Sequence, residues 1–195
     1  MRFIGITGQV GSGKSEVLKQ LQEKYNCRII LADNVAHEVR EPGGECYEKI
    51  VELIGTESLN EDGTINRQKM AAIIFSDKAV LKKVNELIHP AVKNRILEIY
   101  SEEKEKGEID YLFLEAALLL DDGYDRICDE LWFIYVRDEV RRERLKASRG
   151  YSDEKIDSIL KGQRSEAQFR QACKWTIDNS DEIELTMEQI GLILS

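Results

Sequence analysis

The 195-residue chain carries 28 Lys and Arg against 37 Asp and Glu, a net charge of −9. That balance argues against nucleic acid or an anionic membrane as the main partner, because both need a basic face. With 42% hydrophobic and 33% charged residues, the composition suits one globular domain with an inserted lobe.

The longest apolar run, Met70 to Phe75, is far too short to span a bilayer. A signal peptide is not expected, since a strand begins almost at once. Cys27, Cys46, Cys128 and Cys173 are widely spaced, with no C-x-x-C. Reduced thiols in a cytoplasm are therefore expected, and a zinc site is not.

The chain opens with Arg2-Phe-Ile-Gly-Ile-Thr7, a short apolar strand, followed by Gly8-Gln9-Val10-Gly11-Ser12-Gly13-Lys14-Ser15. This fits G-x-x-x-x-G-K-[ST], and a helix follows in which Val17, Leu18 and Leu21 recur at helical spacing. A strand feeding a glycine turn feeding a helix N-terminus aims backbone N–H groups at phosphates. Gly8, Gly11, Ser12, Gly13, Lys14, Ser15 and Glu16 are thus the expected nucleotide-binding residues. Lys14 would reach the outer phosphates of ATP or GTP, and the Ser15 hydroxyl would meet Mg2+.

A second strand over Arg28 to Leu31 delivers Asp33 to the edge where ligands bind in open α/β sheets. Asp33 is the candidate acceptor-side base; its position equally suits an N-cap of a helix from Asn34 to Arg40. From Glu45 to Lys106 the pattern is helical. Tyr47, Ile50, Val51 and Ile54 form one stripe ending at Gly55, and Asn60 to Gly63 is a turn. A helix then runs through Phe75, and Ser76 is expected to cap the next. His89-Pro90 is expected to interrupt that helix, with Pro90 opening another whose inner face is Val92, Ile96, Leu97 and Tyr100. Ser101 to Glu108 reads as a solvated helix end.

Ile109 to Leu114 predicts a third strand that brings Glu115 to the same edge as Asp33, as a candidate magnesium-ordering carboxylate. Ala116 to Leu120 is expected to be buried. Leu131 to Val136 is the plainest strand, nearly continuous in apolar residues as a doubly covered strand should be. Asp138 is expected to cap the basic helix after it. There Arg141, Arg144 and Ser148 share one stripe, and Arg142, Lys146 and Arg149 another. Arg144 and Arg149 are the expected phosphate contacts; the remaining cations should pair with Glu139 and Glu143 or meet solvent. Ser152 and Ser165 cap two further helices, Trp175 to Asp178 is a last strand, and Asp181 to Leu194 a closing helix. Trp132 and Trp175 are both expected in the core.

These elements predict an α/β, three-layer P-loop NTPase fold. It would have a five-stranded parallel sheet, an inserted helical substrate lobe and a helical lid. One domain, residues 1–195, would have its core at about 1–40, 108–138 and 175–195, the lobe at about 41–107 and the lid at about 139–174.

At the level of whole motifs the chain resembles the dephospho-CoA kinase family. I-G-I-T-G-Q-V-G-S-G-K-S is similar to that family's I-G-L-T-G-G-I-G-S-G-K-S. Ala32-Asp33, Glu41-Pro42-Gly43, Asp62-Gly63, Asn66-Arg67, Phe75 and His89-Pro90 follow in family order. So do Arg144-Leu145, Arg149, Gln163 and Asp178-Asn179-Ser180. The chain departs from the family pattern at Leu31, Glu16, Ala117 to Asp121, Cys173-Lys174 and the Arg144–Arg149 spacing.

The resemblance implies a kinase that moves the γ-phosphate of ATP, with Mg2+, to the ribose 3′-hydroxyl of dephospho-CoA. It implies Asp33 as base, Arg67 and His89 on the acceptor side, and Arg144 and Arg149 in the lid. A small-molecule substrate, no nucleic acid or membrane partner, and a monomer or small homo-oligomer are expected. The alternatives are a kinase for another nucleotide or nucleoside, or a non-catalytic ATP-binding paralogue.

Overall fold

The computed structural model describes residues 1–116 and 119–195. Ala117 and Leu118, part of the stretch expected to be buried, lie outside the described residues; their neighbours Ala116 and Leu119 are buried.

The strands are β1 (Arg2–Thr7), β2 (Cys27–Leu31), β3 (Tyr111–Glu115), β4 (Glu130–Tyr135) and β5 (Trp175–Asp178). They form a five-stranded sheet in the order β2-β3-β1-β4-β5. β1 runs parallel to both neighbours, with Ile4 opposite Phe113 on one side and Ile6 opposite Trp132 on the other. β4 and β5 pair in parallel, Ile134 against Ile177. Strands covered on both faces cannot alternate polar and apolar residues, which is why β1 and β4 are buried along nearly their whole length.

The chain divides into two compact units, residues 1–29 with 107–195, and residues 30–106. In the first, α1 (Lys14–Lys24) follows the glycine loop and buries Val17, Leu18 and Leu21. α6 (Asp138–Arg149) is followed by α7 (Asp153–Lys161) and α8 (Glu166–Ala172). Ser152 accepts from the Lys155 N–H, and Ser165 makes a capping box with Gln168, each as its position predicts. Phe169 stacks on Phe133 at 4.8 Å between centroids, which fastens α8 to β4. The closing helix is α9 (Ile183–Leu194).

The second unit is helical: α2 (Ala32–Glu38), α3 (Tyr47–Ile54), α4 (Arg67–Ser76) and α5 (Lys78–Lys106). α2, α3 and α4 all pack on α5. Asn66 caps α4 by accepting from the N–H groups of Gln68 and Lys69. Tyr47 donates to the Gly63 carbonyl at 2.5 Å, closing the turn that Asp62 and Gly63 make.

Several expectations are corrected. The break at His89-Pro90 is absent: α5 is continuous, with Pro90 inside it. Proline removes one ladder bond and crowds the preceding turn. The apolar side Val84, Ala91, Val92, Ile96 and Ile99 is buried on both sides of it, and that packing outweighs the local preference. Its inner face includes Ile99, whereas Tyr100 is only half-buried.

Ser76 ends α4 instead of capping α5; Asp77 accepts from the N–H groups of Ala79 and Val80. Asp138 is the first residue of α6, after an N-cap at Arg137, and holds Arg142 at 2.7 Å. α2 begins at Ala32, so Asp33 lies in its first turn and not before it. Within the charge run at the end of α5, Glu103 is buried and paired with Lys106 at 2.8 Å. Trp132 is fully buried, but Trp175 is 39% exposed, because β5 is an edge strand.

Candidate active site

Residues 8–15 form a cradle that side chains would fill. Gly11 and Gly13 have φ of +77° and +81°, a region that L-residues avoid. A Cβ on Gly8 would lie 2.6 Å from the Ile134 carbonyl oxygen, and one on Gly11 would lie 2.8 Å from Leu145 Cγ. On Gly13 it would strike the Asn179 amide. The loop is thus packed against β4, α6 and the segment after β5.

Asn179, buried, fixes this arrangement. Its Nδ2 donates to the Ser12 carbonyl at 2.8 Å, and its Oδ1 accepts from Thr186 at 3.0 Å.

Lys14 donates to the Gly8 carbonyl at 2.7 Å and lies 3.9 Å from Glu115. Burial lowers its pKa from the ordinary lysine value; Glu115 opposes that shift and Arg149 adds to it. A poorly hydrated ammonium beside a second cation is a site that an anion would stabilise. The Ser12 hydroxyl is buried without a hydrogen-bond partner among the described residues, and a buried polar group left so is costly. Positive-φ glycines, a half-desolvated lysine and an orphaned hydroxyl together fit a polyphosphate.

From α6, Arg144 donates to the Asn179 carbonyl at 2.8 Å. Its Nη1 would lie 3.4 Å from a Cβ on Gly13. Arg144 is therefore tied to Asn179, the residue that holds the loop, while Arg149 bears on Lys14 through its charge. The other cations of α6, expected to meet Glu139, Glu143 or solvent, have different partners among the described residues. Arg142 binds Asp138, Asp153 and Asp157, Lys146 binds Asp153, and Arg141 is buried against Gln9. Ser15 and Glu16 are exposed at the start of α1.

In the helical unit a cavity of about 200 Å³ is lined by His37, Arg40, Glu41, Ile65, Arg67 and residues of α4. Arg67 Nη2 lies 3.4 Å from His37 Nδ1. The His37 pKa is lowered by burial first and then by Arg40 and Arg67, with Glu41 and Asp33 opposing. Asp33 thus acts electrostatically on the same cluster. Arg67 lines this cavity, and Asp33 bears on its His37 and Arg40 through charge. His89 is not among the cavity's lining; it stands mid-helix in a separate groove of about 700 Å³ with Leu81, Lys82, Asn85 and Pro90.

His37 and Arg40 were not singled out from sequence. The signal was present: Asp33, His37 and Arg40 are spaced four and three apart, the first two on α2 and Arg40 in the turn that follows it.

A parallel sheet with the phosphate loop between β1 and α1, and Arg144 of α6 tied to the asparagine that holds that loop, defines a P-loop kinase. Solved structures agree on the fold. TT1252 from Thermus thermophilus superposes with TM-score 0.79 at 28% identity, covering 99% of this chain and 96% of that one. Dephospho-CoA kinase from Campylobacter jejuni gives 0.75 at 21% identity, covering 99% and 96%.

The dephospho-CoA kinase family profile matches residues 2–184. A Carboxydothermus hydrogenoformans dephospho-CoA kinase is 36% identical over 98% of this chain and 92% of its own. One from Oceanobacillus iheyensis is 34% identical over 98% and 95%. The chain belongs to the dephospho-CoA kinase family.

Proposed function

We propose that the protein transfers the γ-phosphate of ATP to the ribose 3′-hydroxyl of dephospho-CoA, giving coenzyme A and ADP. The observation that carries this reading is the family match over residues 2–184, which spans both the phosphate loop and the helical unit.

On the donor side, the N–H groups from Gly11 to Ser15 would bind the phosphates and Lys14 would neutralise charge at the β- and γ-oxygens. The orphaned Ser12 hydroxyl would gain a phosphate oxygen as acceptor. Arg144 and Arg149 would stabilise the negative charge that spreads over the transferring group. The loop's donor set suits Mg2+ as well: Ser15 and Glu115 would hold it, and it would supply charge neutralisation between the β- and γ-phosphates. Glu16, exposed, would turn away from the phosphates.

On the acceptor side, the 3′-hydroxyl oxygen attacks phosphorus as the bond to the ADP oxygen breaks, and the hydroxyl proton passes to the Asp33 carboxylate. Arg67, with His37 and Arg40 beside it, offers cationic donors matched to the anionic parts of dephospho-CoA. His89 belongs to the same unit, and its groove would take an apolar portion of the acceptor.

No helix among the described residues is long and apolar enough to cross a membrane, and all four cysteines are free thiols. Both features suit a reducing cytoplasm, where a monomer or small homo-oligomer would act without nucleic acid or membrane.

Incubating the protein with Mg-ATP and a panel of dephospho-CoA, AMP, CMP and nucleosides tests the assignment. Phosphorus NMR should show a new 3′-phosphomonoester only with dephospho-CoA. Turnover of another acceptor in its place would overturn it. Asp33→Asn should lower turnover while leaving ATP affinity unchanged.

A further inference from the structure

Gln9, the second residue of the phosphate loop, is glycine in the family sequence that the loop otherwise resembles. Here it is a 9% exposed side chain with both ends engaged. Its Oε1 accepts from Arg141 Nη1 at 2.5 Å, and its Nε2 donates to the Arg164 carbonyl at 3.0 Å. Next to it, the Val10 N–H donates to Gln163 Oε1 at 3.1 Å.

Arg141 stands near the start of α6, while Gln163 and Arg164 form the turn between α7 and α8. One side chain of the loop therefore ties down both the outgoing and the returning part of segment 139–174. Arg164 is in turn paired with Asp121 at 2.5 Å.

Arg141 is 6% exposed, and besides Gln9 its guanidinium reaches the Val136 carbonyl at 3.2 Å and Asp138 at 3.8 Å. Its Nε has no partner among the described residues. A buried guanidinium already short of one acceptor depends on those it has. Arg141 is also one turn from Arg144 on the same stripe of α6, and its Cγ would lie 3.1 Å from a Cβ on Gly11. Whatever fixes Arg141 fixes the rotation of α6, and with it where Arg144 and Arg149 point.

We propose that Gln9 is a positioning residue. Through Arg141 and the Gln163–Arg164 turn it latches segment 139–174 to the phosphate loop, and so sets the arginines of α6 for phosphoryl transfer. The inference deepens the proposed kinase activity and rests on it for its kinetic consequence. The latch itself is independent of which acceptor is used.

Gln9→Gly removes both contacts; Gln9→Glu keeps an acceptor for Arg141 but cannot donate to the Arg164 carbonyl. Amide hydrogen exchange over residues 139–174, with and without Mg-ATP, reads the latch directly. Steady-state kinetics with dephospho-CoA read its effect. Gln9→Gly should speed exchange in both α6 and the 163–172 stretch and lower kcat about tenfold, the loss of one hydrogen bond to a charged group. The KM for dephospho-CoA should stay within about twofold, since only transition-state contacts are lost. Gln9→Glu should free the 163–172 stretch alone.

Wild-type exchange throughout the segment in Gln9→Gly would overturn the latch. So would Gln9→Glu freeing α6 and the 163–172 stretch equally, a result that decides the matter even if Gln9→Gly folds poorly. If the wild-type protein fails to phosphorylate dephospho-CoA, the acceptor assignment falls, while the exchange data still decide the latch.

Discussion

The phosphate loop and the cationic cavity of the helical unit both suit anionic groups, by opposite means. In the loop, recognition is built from backbone. Gly11 and Gly13 adopt φ values closed to other residues, Gly8 lies against a carbonyl, and Asn179 and Leu145 fill the outer side. In the cavity, recognition is built from side chains. His37 and Arg40 come from α2 and its C-terminal turn, and Arg67 from the first residue of α4. A backbone cradle has few parts that can be exchanged, and its failures should be abrupt. A cluster of long side chains shares its charge among members, so each loss should be partial.

The largest effect should come from Lys14→Ala. It removes the loop's largely buried ammonium and its bond to the Gly8 carbonyl. Loss of such preorganised charge costs about 10²–10³ in kcat. Measured turnover within tenfold of wild type would show that the loop is not the donor site. Gly13→Ala should follow. It forces a side chain to positive φ and against Asn179, whose bond to the Ser12 carbonyl would then break. Destabilisation of about 1–3 kcal/mol in urea unfolding is expected, with loss of ATP binding by calorimetry. Normal ATP affinity in a folded Gly13→Ala protein would blur the contrast between the two regions.

The cavity should behave differently. Arg67→Ala and Arg40→Ala should each raise the KM for dephospho-CoA about tenfold, leaving kcat and the KM for ATP close to wild type. If either single substitution abolished turnover, the cavity would be acting like the loop, and the idea of shared charge would fail.

The two regions also differ in how far the sequence reveals them. The loop is local, eight consecutive residues with their glycines, and β1 and β4 announce themselves as apolar runs. The cavity joins residues 30 apart, and only the Asp33, His37 and Arg40 spacing along α2 and the turn after it hinted at it. The Gln9–Arg141 pair spans 132 residues and leaves no local pattern. Pro90 misled for a different reason: its local preference is real, but packing of α5 on α2, α3 and α4 overrides it. The exposure of Trp175 depends on strand order, which no apolar run encodes.

The smallest effect, and the most particular to the cavity, is a pH dependence. Burial and the neighbouring Arg40 and Arg67 hold the His37 pKa below its ordinary value of 6.5. As pH falls through about 6.5, histidine in the unfolded chain takes up a proton while His37 in the folded protein does not. The unfolded state then binds more protons, so stability declines with falling pH until the lowered folded pKa is passed; above about 6.5 the residue contributes nothing. His37→Asn should therefore flatten the decline in urea midpoint between about pH 7 and pH 5, while a variant at the exposed Glu16 should leave it unchanged. An equal slope in His37→Asn and wild type would mean that neither burial nor the neighbouring Arg40 and Arg67 depress the His37 pKa.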